Sequence, residues 1–585
     1  MAIFTESAIC MTDFYKLTHM LQFDPRIKGF TSYLVPRGNR TKVFKKLTLF
    51  GVQAFCNMLE REFDDNFFGL PWEENAAAIR RALGMGLGYS DERIERTIEM
   101  VKKLYNHGYL PITINSLPEG TNVPIGCPAI EIVSNCPDVP WIGQAIESIL
   151  SCSIWHPSIS ATVARKYAEI AYTAYKKTVD DTIDYRTAMC DFSIRGQHSY
   201  ESGVASAAAF LTEFRNSSTI EAYEYITSNY TDKSDVECHG LTSTEHSVMT
   251  SDAILNNMDE RETYRRLLTE VYPDVSFAAV MDSYDFWNVL VNILPTLREE
   301  IENHEGFLGC RHDSCNNPVD ALAGYPTIKT NEVDIRHELP DILENLYPEG
   351  KFDGIYSSEY IRVINTDPTT NRVTDDVYKV DCEWDCDGDY IGYHVILRGK
   401  TTYEDKGMVE TLYKLFGGSE NTKGYIQINP KLKAVYGDSI TIDRAEEIYR
   451  ILESKGFAAN NVSLGVGSFS FMCANGLSPF TRDTFSIAIK ATNMRYENEN
   501  GEIVSKAIYK DPKGFSQKKS LKGLAVVYKE GGELKFKDNL TEEEYDDMHA
   551  SGKSEMIPYF TAGQSIPHSF NKLREFSQRV LFDHE

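Results

Sequence analysis

The sequence lacks the marks of several protein classes. It has no apolar run of about 18 residues or more, the length a membrane-spanning helix needs. Its opening, MAIFTESAICMTDFYKLTH, has no basic start followed by an apolar stretch, so no secretory signal is expected. The twelve cysteines are scattered without a CxxC pair. Reduced thiols in a cytoplasmic protein explain that better than a disulfide framework. Basic residues are in deficit, with 60 Lys and Arg against 86 Asp and Glu and a net charge of −26. Such a surface repels nucleic acid and anionic lipid, so neither is expected as a partner. No GxGxxG follows an early strand, which argues against a dehydrogenase.

What is present suits a folded enzyme. A chain of 585 residues exceeds one simple core and predicts two or three domains. From about residue 183, short apolar or β-branched runs end in polar clusters, and helical stretches follow. The clusters are DFSIRG (191–196), NSS (216–218), EHS (245–247), MDSYD (281–285), RHDS (311–314), YGDS (436–439) and LGVGS (464–468). One residue from each lies at 192, 218, 246, 282, 313, 438 and 466, and five of the six steps fall between 26 and 36 residues. A strand-plus-helix unit takes roughly 30 residues. The spacing predicts a (β/α) barrel with functional side chains at strand ends, with an open doubly wound sheet as the alternative. Residues 325–420 fill the one long step. They include VYKVDCEWDCDGDYIGYHVILRG, which alternates like a hairpin around Asp387-Gly388 and predicts an inserted, partly β subdomain. The acidic run at Glu383, Asp385 and Asp387 superficially resembles a calcium loop. His394 stands where such a loop needs Glu, so a hairpin turn is preferred. Residues 1–180 predict an N-terminal α/β domain, completed by 491–585, beside a catalytic barrel over 181–490. The helical stretch 141–177 should be interrupted near Pro157.

Strand ends are rich in Asp, Ser and Gly for turn-forming reasons alone, so any one cluster is more readily structural than functional. Their order is more informative. MTDFYKLTHMLQFDP (11–25), CDFSIRG, TEHS, MDSYD, RHDSCNNP, YGDS, TRDTFSIAIK and KDPKGFSQKKSLKG resemble, in sequence order, the motifs of the nicotinate/nicotinamide phosphoribosyltransferase family, and the opening motif that of its nicotinamide branch. The resemblance covers about 10–323 and 425–523. It implies an irregular α/β barrel of the type II phosphoribosyltransferase kind, with a second α/β domain, working as a homodimer with active sites between subunits. It implies a pentosyltransferase that joins nicotinamide to phosphoribosyl pyrophosphate, giving nicotinamide mononucleotide and pyrophosphate for NAD salvage. Mg²⁺ would act with pyrophosphate, without a dedicated protein cage, and ATP would be an optional activating co-substrate.

The reaction's demands agree with the residues carried over. Phe192 and Tyr15 match the family's two ring-stacking residues, Tyr15 coming from the partner subunit and following Asp13. Arg195, Arg311, Arg482 and Lys490 match positions that hold phosphate and pyrophosphate, with Arg37 a weaker match. Within so acidic a chain, such cations must gather locally. Gly465 and Gly467 form a short glycine loop suited to backbone contacts with phosphate, although Ser468 and Phe469 break the family's longer glycine run. Asp313 and Asp438 match ribose-binding acids. His246 matches the histidine that ATP can phosphorylate, and Asp282 the carboxylate that orients it. At Ser218 the nicotinamide enzymes usually have Asp, and the nicotinate enzymes resemble this Ser more closely. A nicotinate transferase is therefore the nearest alternative, and a non-catalytic binding protein on the same fold is the next. KKSLK (518–522) fits a solvated or phosphate-facing loop.

Overall fold

A computed structural model describes residues 6–582 except 42, 234, 438, 475–477 and 512–519. Its central feature is a parallel sheet of short staves. Met189–Asp191 pairs with Asn216–Ser217 on one side and with Val462–Val466 on the other. Leu432–Tyr436, Leu308–His312 and Phe277–Val280 follow in turn. The two edges are joined by residues 239–244. His239 N–H donates to Arg215 O (2.8 Å) and Ser217 N–H to His239 O (3.1 Å), while Ala278 N–H donates to Thr242 O (2.8 Å). Going round the ring, the staves come in chain order and the last pairs with the first. An open doubly wound sheet would reverse its strand order at a switch point. The fold is therefore an irregular (β/α) barrel, and the seven polar clusters read in the sequence lie at or just beyond the ends of its staves and of the closing segment 239–244.

The short stave runs are almost wholly buried, as in FAAV of Phe277–Val280. A parallel sheet covered on both faces demands this. Each fully buried Val, Leu, Ile or Phe there contributes about 1.5–3 kcal/mol. Between the staves run helices such as Tyr200–Phe210, His246–Leu255 and Ile442–Ser454.

A second sheet of seven strands draws on both ends of the chain. Its order is Ile503–Ala507, Ile487–Glu497, Ile27–Pro36, Ile130–Ser134, Thr113–Ser116, Ile557–Thr561 and Gln564–Ser565, all antiparallel. The long helix Glu147–Thr178 ties this sheet to the barrel. Its Tyr167 hydroxyl reaches Ile440 O (2.7 Å) and Ser470 Oγ (2.8 Å), beside two stave ends. The expected break at Pro157 does not occur, and the helix runs through it. The next residue explains part of this. Ser158 Oγ donates to Phe50 O (3.0 Å) and accepts from Phe50 N–H (3.1 Å), anchoring the turn that proline weakens. Tertiary bonds thus override a local preference.

Between Leu308–His312 and Leu432–Tyr436 lies a separate four-stranded sheet. It comprises Thr327–Thr330, Tyr360–Thr366, Val373–Trp384 and Tyr390–Lys400, with its own core around Leu339, Leu343, Phe352 and Ile361. The acidic hairpin is a turn that caps itself. Asp385 Oδ1 accepts from Asp387 N–H (2.9 Å) and Asp389 N–H (2.8 Å), and Gly388 takes the φ of 86° the turn needs. Helix Tyr403–Phe416 returns the chain to the barrel. Among the described residues, no helix is long and apolar enough to cross a membrane.

Candidate active site at the barrel mouth

The stave Leu308–His312 delivers three consecutive polar residues to the end where the staves stop. Arg311 and Asp313 form a two-pronged ion pair, Nε–Oδ1 at 2.9 Å and Nη2–Oδ2 at 2.7 Å. The remaining Arg311 Nη1 donates to Ser243 Oγ (2.9 Å) on the segment that closes the barrel. The guanidinium lies 5.6 Å from the centre of the Phe192 ring, within reach of a cation–π contact. Gly437 leaves room for this ion pair. A Cβ there would stand 2.2 Å from Asp313 Oδ1 and 2.4 Å from Arg311 Nε.

Asp282 is the hub of the next stave end. Its Oδ2 accepts from Asp313 N–H (2.9 Å), Ser314 N–H (2.6 Å) and His312 Nδ1 (3.3 Å). Burial opposes ionisation of this carboxyl. The donated hydrogen bonds and the charge of His312 outweigh it and hold the group well below the usual carboxylate range. The other oxygen, Oδ1, is buried without a hydrogen-bond partner and lies 3.9 Å from His246 Nε2. His246 opens helix His246–Leu255, and its Nδ1 meets Ser283 Oγ at 3.2 Å. Its side chain is 47% exposed, so the ring faces outward over a fixed carboxylate.

A buried acid arranges the third wall. Asp191 ends its stave fully buried, and burial raises its carboxyl against the hydrogen bonds from Ser193 and its neighbours. Its side chain accepts from Ser193 N–H (3.1 Å), Ser217 Oγ (3.1 Å) and Thr219 Oγ1 (3.4 Å), and its carbonyl from Ser218 N–H (2.9 Å). The loops bearing Phe192 and Ser218 are thereby locked together, with Ser218 exposed. Phe192 N–H also donates to Val466 O (2.9 Å), and the turn at Arg195-Gly196 packs against Ser468. Gly465 and Gly467 thus lie next to Phe192 and Arg195, and Arg195 itself is exposed.

The other candidates form a second group on and beside the antiparallel sheet. Glu147 joins Lys16 and Lys490, the latter at 3.4 Å, and Ser148 donates to Asp13. Tyr15 is 56% exposed, with its ring edge-on to His19 at 5.1 Å. Arg482 pairs with Asp483 at 3.0 Å. Burial and then the charge of Arg482 lower the Arg37 guanidinium, so these two cations crowd one another. The barrel group therefore holds Phe192, Arg195, Ser218, His246, Asp282, Arg311, Asp313, Gly465 and Gly467, and the sheet group Asp13, Tyr15, Arg37, Arg482 and Lys490. Asp438 and most of KDPKGFSQKKSLKG lie outside the described residues.

Sequence reasoning passed over Asp191, Ser243, His312, Gly437 and Glu147. Asp191 and His312 stood inside quoted motifs, but nothing in a motif tells which acid turns inward. Ser243 lies in a segment without a strand pattern. As for a metal, no group of three or more His, Cys, Asp or Glu is placed to hold one among the described residues. Asp313 and Asp282 Oδ2 are already engaged. This donor set fits a divalent cation that arrives carrying phosphate and water ligands.

A mouth with an arginine fork, an aromatic face and a histidine over an ionised aspartate can hold a flat ring and a phosphate-bearing sugar together. The chain is also similar to known proteins. Over 509 residues the chain is 26% identical to a "Nicotinamide phosphoribosyltransferase" of Mycoplasma pneumoniae, covering 85% of this chain and 91% of that one. It is 28% identical over 522 residues to a protein of the same name from Acinetobacter baylyi, covering 88% and 87%. A solved human nicotinic acid phosphoribosyltransferase aligns over 98% of this chain and 93% of its own, at 11% identity and a TM-score of 0.45. The family model described as the nicotinate phosphoribosyltransferase (NAPRTase) family matches residues 187–547, which take in the staves and every barrel-mouth residue named above, and the chain belongs to that family.

Proposed function

We propose that the protein is a nicotinamide phosphoribosyltransferase of NAD salvage. It would join nicotinamide to phosphoribosyl pyrophosphate, giving nicotinamide mononucleotide and pyrophosphate. The observation that carries the reading is the meeting of Phe192, the Arg311–Asp313 fork and the His246–Asp282 pair at one mouth.

The pyridine lies against Phe192, with Tyr15 of a second copy closing the other face. The ring nitrogen's lone pair forms the bond to ribose C1 as the C1–oxygen bond breaks, and that electron pair leaves on pyrophosphate. The chain positions the reactants and compensates charge as the oxocarbenium-like state forms. Arg195 and Arg311, with Arg37, Arg482 and Lys490 from the second copy, hold the phosphates. Asp313 and Asp438 accept from the ribose hydroxyls. Mg²⁺ arriving with pyrophosphate would supply further charge neutralisation.

ATP is the optional second input. If the 3.9 Å gap to Asp282 Oδ1 closes to a hydrogen bond, His246 Nε2 holds the proton and the Nδ1 lone pair can attack the γ-phosphorus while ADP departs. Water later takes the phosphoryl group from the histidine. The homodimer is supported by surface chemistry: Ile254, Leu255 and Met258 stand 66%, 80% and 55% exposed at the end of the helix that His246 begins.

Two relatives named for nicotinamide support the amide as substrate, whereas Ser218 favours the nicotinate reading. The test is a transfer assay with phosphoribosyl pyrophosphate, Mg²⁺ and each ring in separate tubes. Faster mononucleotide formation from nicotinamide is expected. Faster formation from nicotinic acid would reassign the substrate, and no product from either would leave a binding protein.

A further inference from the structure

A second basic cavity lies at the opposite end of the barrel. Mouth residues follow the ends of staves, whereas Ile426 and Phe457, which line this cavity, precede the staves Leu432–Tyr436 and Val462–Val466. The cavity has a volume of about 370 Å³ and sits in the seam between the inserted sheet and helix Tyr403–Phe416. That volume falls within the range of small-molecule sites.

Its charge runs against that of the chain. Lys329, Arg362, Lys414 and Lys455 line it with Glu410, and Lys406 and Asp375 adjoin them. Four lining cations thus face one lining carboxylate, in a protein whose net charge is −26. Two of the cations are built in. Arg362 and Lys455 have side chains only 3% and 4% exposed. Arg362 is held by forks to Asp375 (2.7 Å) and Glu410 (2.7 Å). Lys455 Nζ donates to Ala323 O (2.6 Å) and Lys406 O (3.1 Å). Besides its share of Arg362, Glu410 faces Lys414 at 2.9 Å and Lys455 at 3.7 Å. Burial, and next the charge of Lys414, lower the Lys406 ammonium, a mark of crowded positive charge. One wall is apolar, with the Tyr413 and Phe457 rings edge-to-face at 5.8 Å.

We propose that this seam is a second anion site, taking a phosphate-bearing small molecule between the insertion and the barrel. Buried, hydrogen-bonded cations supply preorganised charge, and Lys329 and Lys414 at the rim complete the grip. The aromatic and aliphatic wall accepts the apolar part of such a ligand.

The test uses inorganic phosphate as probe, in calorimetric titration and in thermal melts at matched ionic strength. Three full-length proteins are compared: wild type, Lys329→Gln/Lys414→Gln and Arg311→Ala. Both rim lysines are exposed, and their loss leaves Arg362 and Lys455 in place, so the double variant should fold. Phosphate should bind the wild type and raise its melting temperature. The double variant should bind at least about tenfold more weakly, while its transfer rate is unchanged. Arg311→Ala should keep the seam's binding. Equal affinity in wild type and double variant would overturn the proposal. So would loss of all phosphate binding in Arg311→Ala, or no binding by the wild type.

Discussion

In the proposed reaction, Ser218 is the residue expected to govern the choice of ring. Its backbone is fixed by the bond to Asp191 O, and its side chain is exposed. Substitution there therefore changes chemistry without moving the loop. An Asp would accept from the amide NH₂ and repel the carboxylate of nicotinic acid. Ser218→Asp should raise the ratio of kcat/KM for nicotinamide over nicotinic acid by about tenfold or more, since an unpaired polar group at such a site is heavily penalised. An unchanged ratio in a two-substrate kinetic comparison would remove Ser218 from the specificity argument. At this scale the motifs were informative because each is a short run of residues at a stave end. The partners of those residues were not legible. Arg311 lies two positions from Asp313, yet nothing in RHDS says that the two bind one another, or that Gly437 makes room for them.

At the scale of elements, the helix Val52–Phe63 shows how a buried acid positions the scaffold. Glu119 Oε1 accepts from Gly51 N–H (2.6 Å) and Val52 N–H (2.7 Å), capping the helix start. Its Oε2 accepts from the Tyr230 hydroxyl (2.9 Å). Burial pushes the carboxyl up to about 7 against these bonds. The protonated form keeps the cap, since Oε1 still accepts while Oε2–H turns to donate to Tyr230. With a folded value above the ordinary 4.5, the contribution is fully present below that value and is lost as pH rises through about 7. Glu119→Gln keeps a neutral cap at every pH. Unfolding free energies measured from about pH 5 to pH 8 should fall more for wild type than for the variant. Parallel curves would contradict the assignment. Elements were legible where pattern and length agree, as in VSFAAV, NVSL and the hairpin around Asp387-Gly388. The continuity of Glu147–Thr178 through Pro157 was hidden, because the bonds from Ser158 to Phe50 are tertiary. Residues 239–244 carry no strand pattern, and they close the barrel through a few backbone bonds with help from the Ser243 and Thr244 hydroxyls.

At the scale of the whole molecule, the spacing of polar clusters foretold a ring of staves because each βα unit has nearly fixed length. The partition of site residues between two sheets was not foretold by spacing. Asp13, Tyr15, Arg37, Arg482 and Lys490 gather on and beside an antiparallel sheet assembled from both chain ends, and the other described ones at the barrel mouth. The proposed pocket, completed by two copies, would reconcile these groups, and it can be tested without a further structure. Arg311→Ala disables the barrel half and Tyr15→Ala the sheet half, so each variant alone should be nearly inactive. Co-expressed in equal amounts, the two chains should form mixed dimers in half of all assemblies, each with one intact site, and recover about one quarter of wild-type transfer activity. No recovery in the mixture, or full activity of Tyr15→Ala by itself, would contradict a site shared between subunits.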